Sequence, residues 1–592
     1  MMGLLQKAVE TYDANTGLVG VYQKGKDPLA PIGHILANAG IEVTLDAEGR
    51  FMAAHAVEKT EAKILIPVTE ESGGRTSALA AHPLCDRLKY IASANEKAHA
   101  LYLQSLRAWM ESAHSHPFLR VIFSYVAGGT IIADLTGAGI LKDGKFDENL
   151  LVCWRVNGLE DEEPACWKNR NLFTSYIAYY RSRIAERDAV LCMVSGQEEV
   201  PAVQNPKGIV PVNGNAKLIS ANDTSGFTFR GRFTKEWQAA TVGYLASQKA
   251  HSALRWLISD QSVREFSGSR VFLCWNPQGK TIPMAMRRMR SDDAEATRKP
   301  SDYQKKLQST LLSFRSDHQL RDTDSAILAS FDAATSGRLA VTYYNEISLG
   351  TFLERMHTWD AHCCWYAGTF GIQAPNLLQI VRCAFGTQRK KGELALEADA
   401  RIERQYLQSL LDCKVSGGIF PADIVKTLVQ RASTPMAYDE RVWRRIVQTA
   451  CSAVQKYRYD TQQGGNEMSW TLDKKDRSFQ YGRLLAVMER AEEDYYYKSG
   501  ESRQTNAIKF MSEFRRRPYF VFERLNRHLN QAYLNRIDAW QCSRYNRLVG
   551  EIFEILREFP EQELNQPLTD LYLMGYELQR NEFFRKQKDE EE

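Results

Sequence analysis

The sequence predicts an α+β fold, a mixed N-terminal region followed by a C-terminal all-α helical bundle. Three observations predict it. Short β-type runs alternate with helical-period runs through the first third. The β signal fades beyond Leu353. The last 120 or so residues carry three apolar faces at helical spacing, with Pro518, Pro560 and Pro567 placed where helices stop or begin. With 592 residues, 44% hydrophobic and 25% charged, the chain is an ordinary globular sequence too long for a single core, and about 150 residues per domain gives three to four domains.

Ile41, Val43 and Leu45 alternate with Glu42, Thr44 and Asp46, as in a half-buried strand that turns at Ala47-Glu48-Gly49. Residues 63–68 form a strand ended by Pro67, and 70–75 a loop. Apolar residues from Leu84 to Trp109 recur at helical spacing, predicting a helix over 83–110, and 150–156 reads as a strand. Three prolines and two glycines in 201–215 mark a boundary or a long loop. Residues 234–258 then read as a helix, 270–275 as a strand closed by Asn276-Pro277, and 292–306 as a polar, mobile stretch. Helices over 402–411 and 424–429 flank Gly417-Gly418 and Pro421. Leu484, Met488, Ala491 and Tyr495 make one bundle face, Leu525, Leu529 and Ala532 a second, and Ile537, Trp540, Leu548, Ile552 and Ile555 a third. The resulting division is 1–352, with a sub-boundary near 201–216, then a helical connecting region at 353–467 and the bundle at 468–592.

The most apolar uncharged segment, 121–133, falls short of the roughly 20 residues of a membrane helix. Lys7, Glu10 and Asp13 interrupt the N-terminus where a signal peptide needs an apolar run, so a cytoplasmic protein is expected. Eleven irregularly spaced cysteines without a C-x-x-C fit reduced, mostly buried thiols. The formal charge is +4 and unevenly spread. Residues 441–540 hold 19 basic against 12 acidic residues, and 249–290 eight against two. Two basic segments on a nearly neutral chain suit phosphate partners, with solvated faces as the alternative.

Enzyme motifs are sparse. Gly279-Lys280-Thr281 follows a strand, but Cys274 stands where a phosphate-binding loop needs its first glycine. Among the histidines, His357 with His362 and His114 with His116 lack metal-site spacing, and no G-x-S-x-G elbow is present. Glu61-Ala62-Lys63 fits the short carboxylate-x-Lys core of some metal-dependent nucleases, and so supplies one alternative. A stand-alone single-stranded nucleic-acid-binding protein is another.

Three stretches point to binding. In 219–233, Gly226 and Gly231 bracket Arg230 and Arg232, which fall on one side of an extended segment opposite Phe227, Phe229 and Phe233. Lys249 and Arg255 follow in the next helix. In Ser72-Gly73-Gly74-Arg75-Thr76-Ser77, glycines present one arginine and two hydroxyls, a loop suited to phosphate or a DNA groove. The third, 284–290, carries Arg287, Arg288 and Arg290 and suits phosphate or is merely a basic loop.

The order of the Arg75-Thr76-Ser77 loop, Gly226-Phe227, Arg230-Gly231-Arg232-Phe233, 248–257, Trp275-Asn276-Pro277, Gly417-Gly418-x-Phe420-Pro421 and Trp470-Thr471-Leu472-Asp473 resembles the large subunit of the type I-C CRISPR surveillance complex, type I-C Cascade. The resemblance spans most of the chain. It implies a non-catalytic subunit, without cofactor or metal, that reads the protospacer-adjacent motif on double-stranded DNA, helps open the duplex and holds the displaced single strand. Guide RNA pairing would read the target, as in other RNA-guided effectors. The implied partners are a crRNA-containing complex with backbone and 5'-handle-binding subunits, and a recruited helicase-nuclease. Motif reading would fall on Gly73, Gly74, Arg75, Thr76 and Ser77, with Arg230, Arg232, Lys249 and Arg255 as phosphate or strand contacts. The resemblance also implies an internal start at Met468, yielding a separate small subunit whose Lys474, Lys475, Arg477, Arg515, Arg516, Arg517, Arg524 and Arg527 follow the displaced strand.

Overall fold

The computed structural model describes residues 2–75, 78–142, 147–160, 163–220, 233, 235–289, 297, 299–368, 371–390, 392–462 and 470–589. The chain forms two compact units, one of Met1–Ile282 with Asp324–Ile347, the other of Pro283–Thr323 with Ser348–Glu592. Residues 283–323 therefore pack with the helical unit, although the sequence places them within the mixed region. The α+β expectation holds, since the sheets concentrate in the first unit and helices dominate the second.

The first unit contains helices α1 (Met2–Ala14), α2 (Glu70–Gly74), α3 (Leu88–Ile91), α4 (Glu96–Met110), α5 (Pro117–Ala127), α6 (Ile131–Gly137), α7 (Arg170–Ile184) and α8 (Tyr244–Ser259). Its strands are β1 (His34–Asn38), β2 (Ile41–Leu45), β3 (Phe51–Ala56), β4 (Lys63–Pro67), β5 (Asp86–Arg87), β6 (Leu151–Val156), β7 (Val190–Leu191), β8 (Glu198–Glu199), β9 (Arg264–Ser267), β10 (Arg270–Trp275), β11 (Ser325–Asp332) and β12 (Ala340–Ser348). One sheet has the order β3-β2-β6-β5, with β2 and β6 parallel and Val43 opposite Trp154. A second has the order β12-β11-β10-β9 and is antiparallel where β10 meets its neighbours β9 and β11. Each has its own core: Val43, Trp109, Trp154 and Tyr176 under the first, Leu4, Leu254, Trp275 and Phe331 under the second. Two of the buried indoles in these cores find acceptors, Trp154 on the Leu84 carbonyl (3.0 Å) and Trp275 on Thr11 Oγ1 (3.1 Å), which offsets the cost of burying a polar N–H.

Several sequence expectations change here. β2 is buried along its length: Ile41, Val43 and Leu45 lie in the first core, and Glu42 is covered by Arg155 of the neighbouring β6 at 2.5 Å. The 83–110 stretch breaks into β5, α3 and α4, with Asn95 capping α4 through the Ala98 amide. The 234–258 helix starts only at Tyr244, after Gly243. The 70–75 loop is instead the one-turn α2, held by a reciprocal capping box between Thr69 and Ser72 (3.1 and 3.0 Å), a signal carried by four residues and too short for periodicity to show. No single helix among the described residues is long and apolar enough to cross a membrane. α5 and α6 together pass by composition but are bent by 86°, and Phe118, Leu119, Ile122, Ile131 and Leu135 lie in the first core.

The second unit contains α9 (Pro300–Asp317), α10 (Leu349–His362), α11 (Leu377–Phe385), α12 (Ala400–Ser416), α13 (Ala422–Ala432), α14 (Glu440–Asp460), α15 (Arg477–Ser499), α16 (Asn506–Lys509), α17 (Met511–Arg516), α18 (Pro518–Ala532), α19 (Ala539–Leu556), α20 (Glu561–Leu564) and α21 (Leu571–Asp589), with one small hairpin of β13 (Trp365–Tyr366) and β14 (Ile372–Gln373). The stretch expected to be polar and mobile is helical from Pro300 onward; 292–296 and 298 lie outside the described residues. α15 and α21 cross closely because Gly482 and Gly575 lack Cβ atoms: one on Gly482 would fall on the Tyr572 carbonyl, one on Gly575 on the Phe479 carbonyl. Buried Glu489 of α15 is held by Arg444 of α14 (2.8 Å) and by Arg580 and Tyr576 of α21 (each 2.5 Å). The two guanidinium charges push its carboxyl below the ordinary range to about 2 despite burial. All eleven cysteines are free thiols, ten of them buried.

Candidate nucleic-acid interface

Gly73, Gly74 and Arg75, the last turn of α2 and its C-cap, open a loop that is anchored from inside. The Arg75 guanidinium, 10% exposed, donates twice to fully buried Asp86 (2.9 and 2.5 Å) and to the Ala80 carbonyl (2.5 Å), and lies 4.5 Å over the Tyr90 ring. Asp86 also accepts the His82 and Arg87 amides, each at 2.7 Å. The buried pair thus pins both ends of the 75–86 segment, and Arg75 serves as the tether of the loop whose tip it was read as furnishing. Thr76 and Ser77 lie outside the described residues, as do Arg230 and Arg232.

From the other side the loop meets the proline- and glycine-rich 201–217 segment. Buried Glu70, at the start of α2, accepts the Val203 amide (2.8 Å) and pairs with Arg187 (2.6 Å). The bare face of Gly74 is taken by Gln204 Oε1, where a Cβ would clash, and Lys217 Nζ stands 4.0 Å from that position. Lys207 Nζ donates to the Arg75 carbonyl (2.8 Å), and Lys207 bridges Lys217 as an antiparallel backbone pair. Arg255, from α8, donates to the Lys207 (3.0 Å) and Gly208 (2.9 and 2.7 Å) carbonyls. Arg75 and Arg255, chosen from sequence, therefore converge on a lysine that was not chosen. Burial lowers the affinity of the Lys207 and Lys217 ammonium groups for their protons, and at Lys207 the nearby Lys217, Arg75 and Arg87 lower it further. Neither lysine has a carboxylate partner among the described residues.

Elsewhere in this unit Lys249 pairs with Asp13 at 2.7 Å. Lys63, the lysine of the nuclease alternative, pairs with Asp27 at 2.6 Å, while Glu61 is exposed next to a turn. No group of three His, Cys, Asp or Glu among the described residues is arranged to hold a metal ion. Lys280 of the phosphate-loop imitation is held by Asp324 at 2.6 Å.

In the second unit the basic residues singled out from sequence divide. Arg477 donates to the Leu564, Gln566 and Pro567 carbonyls (3.4, 2.9 and 3.0 Å), Lys475 pairs with Glu558 (3.0 Å) and Arg515 donates to Gln430 (2.9 Å), so these three hold helices together. Lys474 is exposed. Arg516, Arg517, Arg524 and Arg527 are also exposed and have no acidic partner among the described residues; Arg524 stacks on Phe510 at 4.7 Å. Phe520, Arg524 and Arg527 follow one another at steps of four and three, one face of α18, with Arg517 at its N-cap, and Phe520 is 53% exposed. An open aromatic ring among unpaired guanidiniums can stack a base and contact phosphates. Residues 284–289 are tied down, the Arg287 carbonyl by Lys414 (2.8 Å) and the Met289 amide by Asp360 (2.6 Å), while Arg290 lies outside the described residues. Met468 lies outside the described residues.

Sequence reasoning passed over Lys207, Lys217 and Phe520. The first two stand within or beside the 201–215 loop, and a lysine between Pro206 and Gly208 is a signal that a search for basic runs misses. No curated protein matches the chain. The family model described as CRISPR-associated protein (Cas_Csd1) matches residues 18–584, nearly the whole length. The chain therefore belongs to this CRISPR-associated family, that of the type I-C large subunit.

Proposed function

We propose that the chain is a non-catalytic large subunit of a crRNA-containing type I-C Cascade that reads the protospacer-adjacent motif on double-stranded DNA through the 73–77 loop. It aids duplex opening, follows the displaced strand with the exposed face of α18, and helps recruit the helicase-nuclease. The observation that carries this reading is the family match over 18–584, and the convergence of Lys207 and Lys217 on the anchored glycine loop is consistent with it. The buried Arg75–Asp86 pair fixes both ends of the 75–86 segment, which supports a reading of base steps there.

The test is binding of duplexes carrying a randomised short motif beside a matched target by the assembled complex. One motif is expected to be enriched, and the enrichment to be lost when Thr76 and Ser77 are both changed to Ala. Because Arg75 holds Asp86, Arg75→Ala would confound reading with unfolding and is unsuited to this purpose. No motif preference in the wild-type complex would overturn the reading. Incubation of the purified chain with DNA and Mg2+ or Mn2+ is expected to leave the DNA intact; cleavage lost in Lys63→Ala would establish the nuclease alternative.

A further inference from the structure

We propose that Lys207 and Lys217, with Gln204 on the bare face of Gly74, form a backbone-phosphate site that sets the register of duplex DNA against the 73–77 loop. The inference rests on the motif-reading role of that loop and names the contacts that hold its substrate in place.

Two half-buried ammonium groups face each other's field without a carboxylate among the described residues. An arrangement of this kind costs folding free energy through desolvation and like-charge repulsion, and a bound anion offsets both. The carboxylates close by are engaged elsewhere: Asp86 with Arg75 and two amides, Glu70 with Arg187 and two amides. The lysines are held by their backbones. Lys207 is fixed through its carbonyl by Arg255 and through its ammonium by the Arg75 carbonyl, which leaves two of the three ammonium protons for a ligand; Lys217 is paired to the Lys207 strand and to Leu339. Gln204 Oε1 fills the space a Cβ at Gly74 would take, so the absent side chain lets the 201–217 segment, and with it the Lys217 ammonium, close on the loop backbone.

The chemistry favours a phosphodiester of a duplex over an unstacked base. Lysine acts on phosphate as a point charge and reads no sequence. The neighbouring Tyr90 ring is covered by the Arg75 guanidinium and offers a base no open face.

The experiment measures equilibrium binding of the assembled complex to motif-bearing and motif-lacking duplexes over a range of salt concentrations, with wild type, Lys207→Gln/Lys217→Gln and Lys207→Arg/Lys217→Arg. Loss of two phosphate contacts is expected to weaken both duplexes by the same factor and to flatten the slope of log K against log salt by about 2, with motif preference intact and the arginine variant near wild type. An unchanged slope beside an intact motif preference overturns the site and leaves the proposed function standing. Loss of motif preference at unchanged slope overturns it too, because the lysines would then read bases. A wild-type complex without motif preference instead overturns the proposed function. If the double variant does not assemble, Lys207→Gln and Lys217→Gln carry the test singly, each expected to flatten the slope by about 1, and an unchanged slope in both overturns the site.

Discussion

The cations beside Gly74 and those along α18 are placed in opposite ways. Lys207 and Lys217 are half-buried on irregular backbone, tied by Arg255 and by the Arg75 carbonyl, and stand in each other's field. Arg524 and Arg527 stand exposed on a regular helix, with Arg517 at its N-cap, beside an open ring. The first arrangement has surrendered its side-chain freedom during folding, as one fixed ligand geometry would require; the second retains that freedom, as a sequence-tolerant contact would require. The difference separates fixed from free cations: Lys207 and Lys217 lie outside the basic segments of the sequence, whereas the α18 arginines lie within one.

The largest way to break this contrast is to remove the tether. Asp86→Ala leaves the Arg75 charge buried and unpaired, with an expected loss of about 3–5 kcal/mol, read as early hydrogen exchange across 69–90 and loss of motif selection. Arg524→Gln, exposed on α18, is expected to leave the melting temperature unchanged. The second unit has its own breaking point in buried Glu492, whose carboxyl is pushed up to about 7 by burial, partly offset by the Asn506 amide. Its folded state favours the proton, so the stability it contributes is full below about pH 4.5 and is lost as pH rises to about 7, on the order of 3 kcal/mol. Glu492→Gln is expected to flatten the dependence of the denaturation midpoint on pH in that window; an equally steep decline would locate it elsewhere. Glu489 has the opposite sign, and its contribution is lost only as pH falls from about 4.5 to about 2.

Gly575→Ala sets a Cβ on the Phe479 carbonyl and forces α15 and α21 apart, with an expected cost of about 1–3 kcal/mol in thermal unfolding and no change in the salt slope of duplex binding. Phe520→Ala is expected to weaken single-strand binding by about 1–3 kcal/mol if the ring stacks a base, at unchanged stability, in a filter-binding titration with homopolymers. The smallest effect is expected for Lys249→Met. The pair with Asp13 is partly exposed, so under about 1 kcal/mol of stability is at stake, and a larger loss of duplex affinity would place Lys249 on the DNA.

Long or strongly β segments were legible in the sequence: β4, β6 and β10 lie where apolar runs and their Pro, Gly or Asn-Pro stops put them, and α12 and α13 are separated at Gly417-Gly418 and Pro421 as read. α2 was not, because its cap is made by two hydroxyls whose reciprocal bonds leave no periodic trace. β2 looked half-buried because alternation reports side-chain polarity and not the second sheet neighbour that covers Glu42. At the candidate interface, Gly73, Gly74, Arg75 and Arg255 were legible as residue types, but their tasks were not. Arg75 turned inward once Asp86, eleven residues away, was brought beneath it, and Arg255 turned to the 207–208 backbone.

By itself the sequence determined the fold class, the succession of mixed and helical regions, the two basic segments and the likeness to a CRISPR-associated family. These are local or compositional properties, set by periodicity, turn residues and charge along the chain. Only the tertiary structure decided which cations are spent on carboxylates and carbonyls and which stay available, and that Lys207 and Lys217 meet beside Gly74. Such choices depend on contacts between residues from about ten to more than 130 positions apart, where burial and the geometry of a single partner outweigh any preference a side chain carries alone.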